Sequence, residues 1–159
     1  MVRYIMASLG ETFFTSIGCM DGRVQGVIDA YGIKKFHAQY PDTITEAGLV
    51  GLLAQPQVDE DLLASLRKKL LISIMKHHSH GVIVHGHQEC AGNPIDDATQ
   101  KEQIKKAVGT IAYLIGSYVP VIGVFVKRSV DGWVVEPLET PYIEFPHISI
   151  PSFNQLLKQ

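Results

Sequence analysis

Apolar and polar positions along the chain change period in a regular order. Glu11 to Gly18 carries the short apolar run Phe13–Ile17 and reads as a buried strand. Val24 to Tyr31 has the spacing of a short helix closed by Gly32. Lys34 to Glu46 holds a second strand; Pro41 cannot donate to a ladder, so the expected strand is its later half, Asp42 to Glu46. Leu49 to Ala54 is a helical turn, broken by Gln55-Pro56-Gln57. Asp59 to His78 gives the clearest helix, with Leu62, Leu66, Leu70 and Ile74 recurring every fourth residue and Leu63 and Met75 widening the stripe. Its acidic residues cluster at the start and its basic ones at the end, as the helix dipole favours.

Gly81 is the expected stop before Val82–His85, the next strand, and Gly86 to Asp97 is a loop. A second long helix is predicted from Ala98 to Tyr118, with Thr99 and Glu102 at capping-box spacing and Ile104, Val108, Ile111, Ile115 and Tyr118 on one face. Pro120 ends it, and Val121 to Val126 is a continuous apolar strand. Asp131-Gly132 is a two-residue hairpin signal, so Trp133 to Glu136 should return antiparallel at the sheet edge. Prolines 137, 141, 146 and 151 make residues 138–159 an expected extended arm on another surface, and residues 1–10 are weakly patterned. Strands alternating with helices predict an α/β fold: a mainly parallel sheet flanked by helices, with an antiparallel edge hairpin.

The 159 residues suit one domain, and no repeat or second domain is visible. A formal net charge of -2 argues against nucleic acid and anionic membrane surfaces. No apolar run is long enough to span a bilayer, and Arg3 and Tyr4 interrupt any signal core, so a cytoplasmic protein is expected. In that compartment the two cysteines favour a metal or free thiols over a disulfide.

Those two cysteines sit in Cys19-Met20-Asp21-Gly22-Arg23 and His87-Gln88-Glu89-Cys90, each just past an apolar run. Parallel strands ending side by side would bring Cys19, His87 and Cys90 together at the carboxyl edge of the sheet, where open α/β sheets carry their sites. Two thiolates and an imidazole suit zinc and leave its fourth position open. An aspartate beside a guanidinium stays ionised. Asp21, held by Arg23, can either fill that fourth position or accept a hydrogen bond from hydroxide on the metal and aim it.

C-x-D-x-R after a first strand, followed by G-H-x-x-C after a later one, resembles the β-class carbonic anhydrases, over most of residues 11–138. The resemblance implies zinc on Cys19, His87 and Cys90, and Asp21 with Arg23 as the orienting and gating dyad. It also implies reversible hydration of carbon dioxide to bicarbonate and a homodimer or dimer of dimers. The sequence departs from the family in having Ala91 before Gly92, Ala47-Gly48-Leu49 in place of Ala-Gly-Asn, and little or no N-terminal helical arm.

Two rival readings keep the same residues: hydrolysis of carbonyl sulfide or carbon disulfide, and a silent zinc-binding module that Asp21 closes. His77, His78 and His80 read as a basic helix end rather than a metal cluster, and Glu89 as a loop carboxylate. His85, two residues before His87 and on the same strand face, is either a proton relay or a hydrogen-bonded core histidine. The H-x-E of His87-Gln88-Glu89 lacks the downstream P-C-x-x-C of zinc deaminases, which excludes that chemistry.

Overall fold

The computed structural model describes residues 10–140. A five-stranded sheet of order β2-β1-β3-β4-β5 is built from β1 (Phe13–Gly18), β2 (Tyr40–Thr45), β3 (Val82–His87), β4 (Val121–Ser129) and β5 (Gly132–Leu138). The first four strands run parallel and β5 is antiparallel to β4. Four helices connect them: α1 (Gly22–Phe36), α2 (Leu49–Leu53), α3 (Glu60–Lys76) and α4 (Asp97–Leu114).

Strand alternation divides the core into two layers. Ile17, Val82, Val84 and Phe125 pack against Leu49 and Leu53 of α2, Leu66, Leu70 and Ile74 of α3, and Ile104, Val108 and Ile111 of α4. Phe14, Ile83, Val124 and Val126 pack against Val24 and Ile28 of α1 on the opposite face. The β1 neighbours lie on both sides, β2 reached first and β3 later, so the strand order reverses between β1 and β3. A crevice opens at such a reversal beyond the carboxyl ends of the strands.

Several boundaries differ from the sequence expectation. Gly32 does not stop α1. It is buried mid-helix because the Phe14 ring occupies the space a side chain would need; a Cβ there would fall 2.1 Å from the Phe14 ring. The helix ends at His37, left-handed at φ 50°, whose N–H reaches the Ile33 carbonyl. β2 starts at Tyr40 and includes Pro41, which an edge strand tolerates because one side of it has no ladder partner.

α4 begins at Asp97 under an Asp96 cap that accepts from the Thr99 N–H, so Asp96 and not Thr99 is the N-cap. It stops at Leu114 instead of Tyr118, with Ser117 and Gly116 both at positive φ, and Tyr118 is exposed. The hairpin loop is Val130-Asp131, one residue earlier than expected, with Gly132 supplying the positive φ of 119° while paired to Ser129. β5 runs two residues beyond Glu136, so Leu138 belongs to the sheet. The rest of the expected arm, from 141 on, lies outside the described residues, as do residues 1–9.

Candidate metal centre

β1 and β3 are in register at Gly18↔His85, so β1 ends there while β3 runs two residues further to His87, at the same edge of the sheet. Gly18 is needed here for packing: the His85 ring lies across it, 2.5 Å from where a Cβ would stand. Past Gly18 the chain turns into α1. The Gln25 side chain ties that turn by donating to the carbonyls of Cys19 and Asp21, both at 2.9 Å. Asp21 caps α1, its Oδ1 accepting from the Arg23 N–H at 2.9 Å.

The loop after β3 is fastened to β4 and α4. Gln88 donates its N–H to the Val126 carbonyl at 2.9 Å, and its side-chain oxygen accepts from the Arg128 N–H at 2.7 Å. Its amide nitrogen donates to Asp97 at 2.5 Å. Glu89 takes a left-handed φ of 56°, which turns the chain so that Cys90 points back into the crevice. Gly92 lies flat against Gly48, where a Cβ would meet the Gly92 oxygen at 2.3 Å. Ala47-Gly48, at the start of α2, therefore backs the loop that carries Cys90.

The result is a buried group of Cys19, His87 and Cys90 whose ligand atoms all lie within 4.8 Å of one another. The two Sγ atoms are 3.6 Å apart. His87 Nδ1 lies 2.7 Å from the Gln88 carbonyl, which can only accept, so Nδ1 carries the proton. Nε2 is then a bare lone pair, buried and with no hydrogen-bond partner among the described residues. A buried orphan acceptor beside two thiols is costly without an electrophile. Soft sulfur with imidazole matches zinc, and the Nδ1–carbonyl bond is the orienting contact that metal-bound histidines typically have. The residues fit the ion. Burial and the Cys19 sulfur raise the Cys90 pKa, while the N–H groups of Gly92 and Asn93 oppose that rise. A bound cation reverses this balance by deprotonating the thiol.

Asp21 stands at the mouth of this group, its Oδ2 3.9 Å from His87 Nε2. Arg23 grips the carboxylate from the side, Nη2 to Oδ2 at 2.6 Å and Nε to both oxygens at 3.0 and 3.1 Å. That guanidinium holds the Asp21 pKa down at about 2, against the opposing effect of burial. Two carboxylate oxygens meeting one fork is the geometry that makes such pairs directional.

Three further residues reach the site that sequence reading did not place there. Glu89 accepts from Arg128 Nε at 2.9 Å and Nη2 at 3.0 Å, and from Arg23 Nη1 at 3.3 Å. Its backbone carbonyl takes a bond from Arg23 Nη2 at 3.2 Å. The Trp133 ring carries both guanidinium groups, Arg128 at 4.5 Å and Arg23 at 5.2 Å, and meets the His87 ring edge-on at 6.3 Å. The observed hairpin register sets Arg128 directly opposite Trp133, whereas a loop at Asp131-Gly132 would have paired Val130 there.

His85 is fully buried and neither ring nitrogen has a protein hydrogen bond among the described residues. Burial, with His87 adding to it, pushes its pKa down to about 3. It is packed but, among the described residues, not hydrogen-bonded to protein, unlike the hydrogen-bonded core histidine that is one of the two roles expected of it. His77 pairs with Asp42 at 2.7 Å, and His80 meets the Phe36 carbonyl at 3.0 Å. Among the described residues they form no metal group.

Residues 9–139 match a family described as "Putative carbonic anhydrase". The chain belongs to this carbonic anhydrase family. The β-carbonic anhydrase isoform I of the protozoan Trichomonas vaginalis superposes with a TM-score of 0.50 at 16% identity, covering 80% of this chain and 83% of that one. The β-carbonic anhydrase CafA of the fungal pathogen Aspergillus fumigatus gives a TM-score of 0.48 at 12% identity, over 94% of this chain and 82% of that one. None of the curated proteins matches in sequence. The family and fold expected from C-x-D-x-R and G-H-x-x-C are thus borne out, with the mainly parallel sheet and edge hairpin in place. In this carbonic anhydrase family member, Ala91 after Cys90 leaves Gly92 to make the close contact with Gly48. No helix among the described residues is long and apolar enough to cross a membrane.

Proposed function

We propose that the protein catalyses the reversible hydration of carbon dioxide to bicarbonate at a zinc ion held by Cys19, His87 and Cys90. The observation that carries this reading is the bare Nε2 of His87, buried beside two thiols 3.6 Å apart. Zinc in such a site supplies Lewis acidity that brings the pKa of a coordinated water into the neutral range, a behaviour for which carbonic anhydrases are themselves the standard example.

The chain's own residues do the rest. Arg23 keeps Asp21 ionised and holds its carboxylate in one orientation. With zinc held by those three residues, Asp21 Oδ2, 3.9 Å from His87 Nε2, would accept a hydrogen bond from the nucleophilic oxygen and orient it toward the substrate carbon. Water supplies the added oxygen and one proton is released, so no redox partner is required. The same Asp21 can alternatively move onto the metal and close the site. The grip of Arg23 supports the open form, because Asp21 is engaged on its Arg23 side.

Two free buried cysteines fit a reducing compartment and therefore a cytoplasmic enzyme. The family resemblance supports a homodimer or dimer of dimers, which the mass of the full chain in solution tests; a monomer contradicts it. The function is tested by stopped-flow hydration on protein of measured zinc content, beside Asp21→Asn. Activity rising with pH and collapsing in the variant is expected. Activity unchanged in Asp21→Asn would remove that residue from the mechanism, and turnover of carbonyl sulfide without carbon dioxide hydration would move the assignment to sulfur substrates.

A further inference from the structure

We propose that Glu89, braced by Arg128 and Trp133, is a positioning residue that holds Arg23 against Asp21 and so keeps the Asp21 carboxylate off the metal position. The inference rests on the proposed metal centre and adds residues to it. Glu89 lies between the two ligands His87 and Cys90, so whatever fixes its side chain is built into the ligand loop itself.

The geometry separates two tasks on one guanidinium. Asp21 takes the Nε and Nη2 edge of Arg23, at 2.6–3.1 Å. Glu89 takes Nη1 with its carboxylate and adds its backbone carbonyl on Nη2. The two carboxylates therefore use different nitrogens for their ion pairs, and Glu89 fixes the plane of the fork without displacing Asp21. Arg128 in turn fixes Glu89 through two bonds from one guanidinium. Both guanidinium groups lie over the Trp133 ring, a contact that planar guanidinium groups favour.

Arg23, Arg128, Asp21 and Glu89 make a charge-balanced quartet. The Arg23, Arg128 and Glu89 side chains are each about half exposed, at 42%, 53% and 52%, so a single pair among them would contribute little. Their connection in one network with a two-bond Arg128–Glu89 fork is the arrangement in which exposed pairs do contribute. Without the Glu89 carboxylate, Arg23 loses its Nη1 contact and keeps only the backbone carbonyl on Nη2, while Arg128 loses both of its bonds to the bracing side chain. Asp21 then spends more time free to turn toward His87 Nε2, 3.9 Å away.

The test uses the full chain loaded with cobalt in place of zinc, so that visible absorption reports what fills the fourth position. Thiocyanate binds there only when Asp21 does not. Glu89→Ala is expected to weaken thiocyanate binding by about fivefold, the scale of a good exposed ion pair. Arg128→Gln, which leaves the ligand loop intact, should shift it the same way if Glu89→Ala does not fold. Placing Asp21→Asn in either background should abolish the difference, because no carboxylate remains to compete. Wild-type or tighter thiocyanate binding in these variants overturns the proposal, as does a weakening that persists with Asp21→Asn. Cobalt well below one per chain in the wild-type protein would instead overturn the metal centre and this inference with it.

Discussion

The sulfur atoms of Cys19 and Cys90 lie 3.6 Å apart although 71 residues separate them in sequence. Parallel pairing of β1 with β3 closes that distance, and the left-handed Glu89 completes it. Replacing either cysteine by serine should lower zinc affinity by more than about a hundredfold, since loss of a mere supporting contact already costs about 10–100-fold. Zinc retention during dialysis against a graded chelator measures this. In the same preparations, zinc should protect both thiols from alkylation and its removal should expose them.

Trp133 is the one tryptophan of the chain, and its ring lies 6.3 Å from that of His87. Cobalt bound at His87 should therefore quench the intrinsic fluorescence, and zinc should not. Emission insensitive to stoichiometric cobalt would place the metal elsewhere.

The close approach of Gly18 and His85 gives a stability test. Gly18→Ala should cost about 1–3 kcal/mol through overpacking on the His85 ring. Adding His85→Ala should return part of that loss. Denaturant midpoints of the two single variants and the double variant measure the coupling.

His85 also sets an acid dependence. Its folded pKa of about 3 lies below the usual 6.5, so between those values the unfolded chain binds the extra proton. Stability from this residue is therefore intact above pH 6.5 and falls as pH drops from there toward 3. His85→Leu removes two buried nitrogens without protein partners and should flatten the fall, seen in urea titrations of metal-free protein at pH 7 and pH 4.5. An unchanged slope would mean that His85 is not held neutral.

Asp21 acts in a lower window. Its pKa is depressed from 3.8 to about 2, so its contribution is present above pH 4 and is lost as pH falls through about 2. Metal-free Asp21→Asn should be less stable than wild type at pH 7 and converge with it near pH 2.

The core and the meeting of Cys19, His87 and Cys90 were readable because they depend on periodicity and on residue types that seldom coincide by chance. The stripe on α3 and the two motifs at strand ends are of that kind. What escaped depends on contacts between distant segments. Gly32 carries a stop signal locally, yet Phe14, eighteen positions earlier, needs the space its missing side chain leaves. Asp96 outcompetes Thr99 as a cap by one good bond to the Thr99 N–H, at 2.9 Å, which no spacing rule ranks. Glu89 looked like an ordinary loop carboxylate because its partners, Arg23 and Arg128, come from α1 and β4. Their meeting follows from strand order and from a turn offset by one residue.

The most direct measurement is stopped-flow carbon dioxide hydration from pH 6 to pH 9, on the same protein stripped of metal and then restored to one zinc per chain. Hydration absent from the stripped protein, restored by zinc and rising with pH is the expected result. One zinc per chain, bound through Cys19, His87 and Cys90, with no hydration at any pH would contradict it.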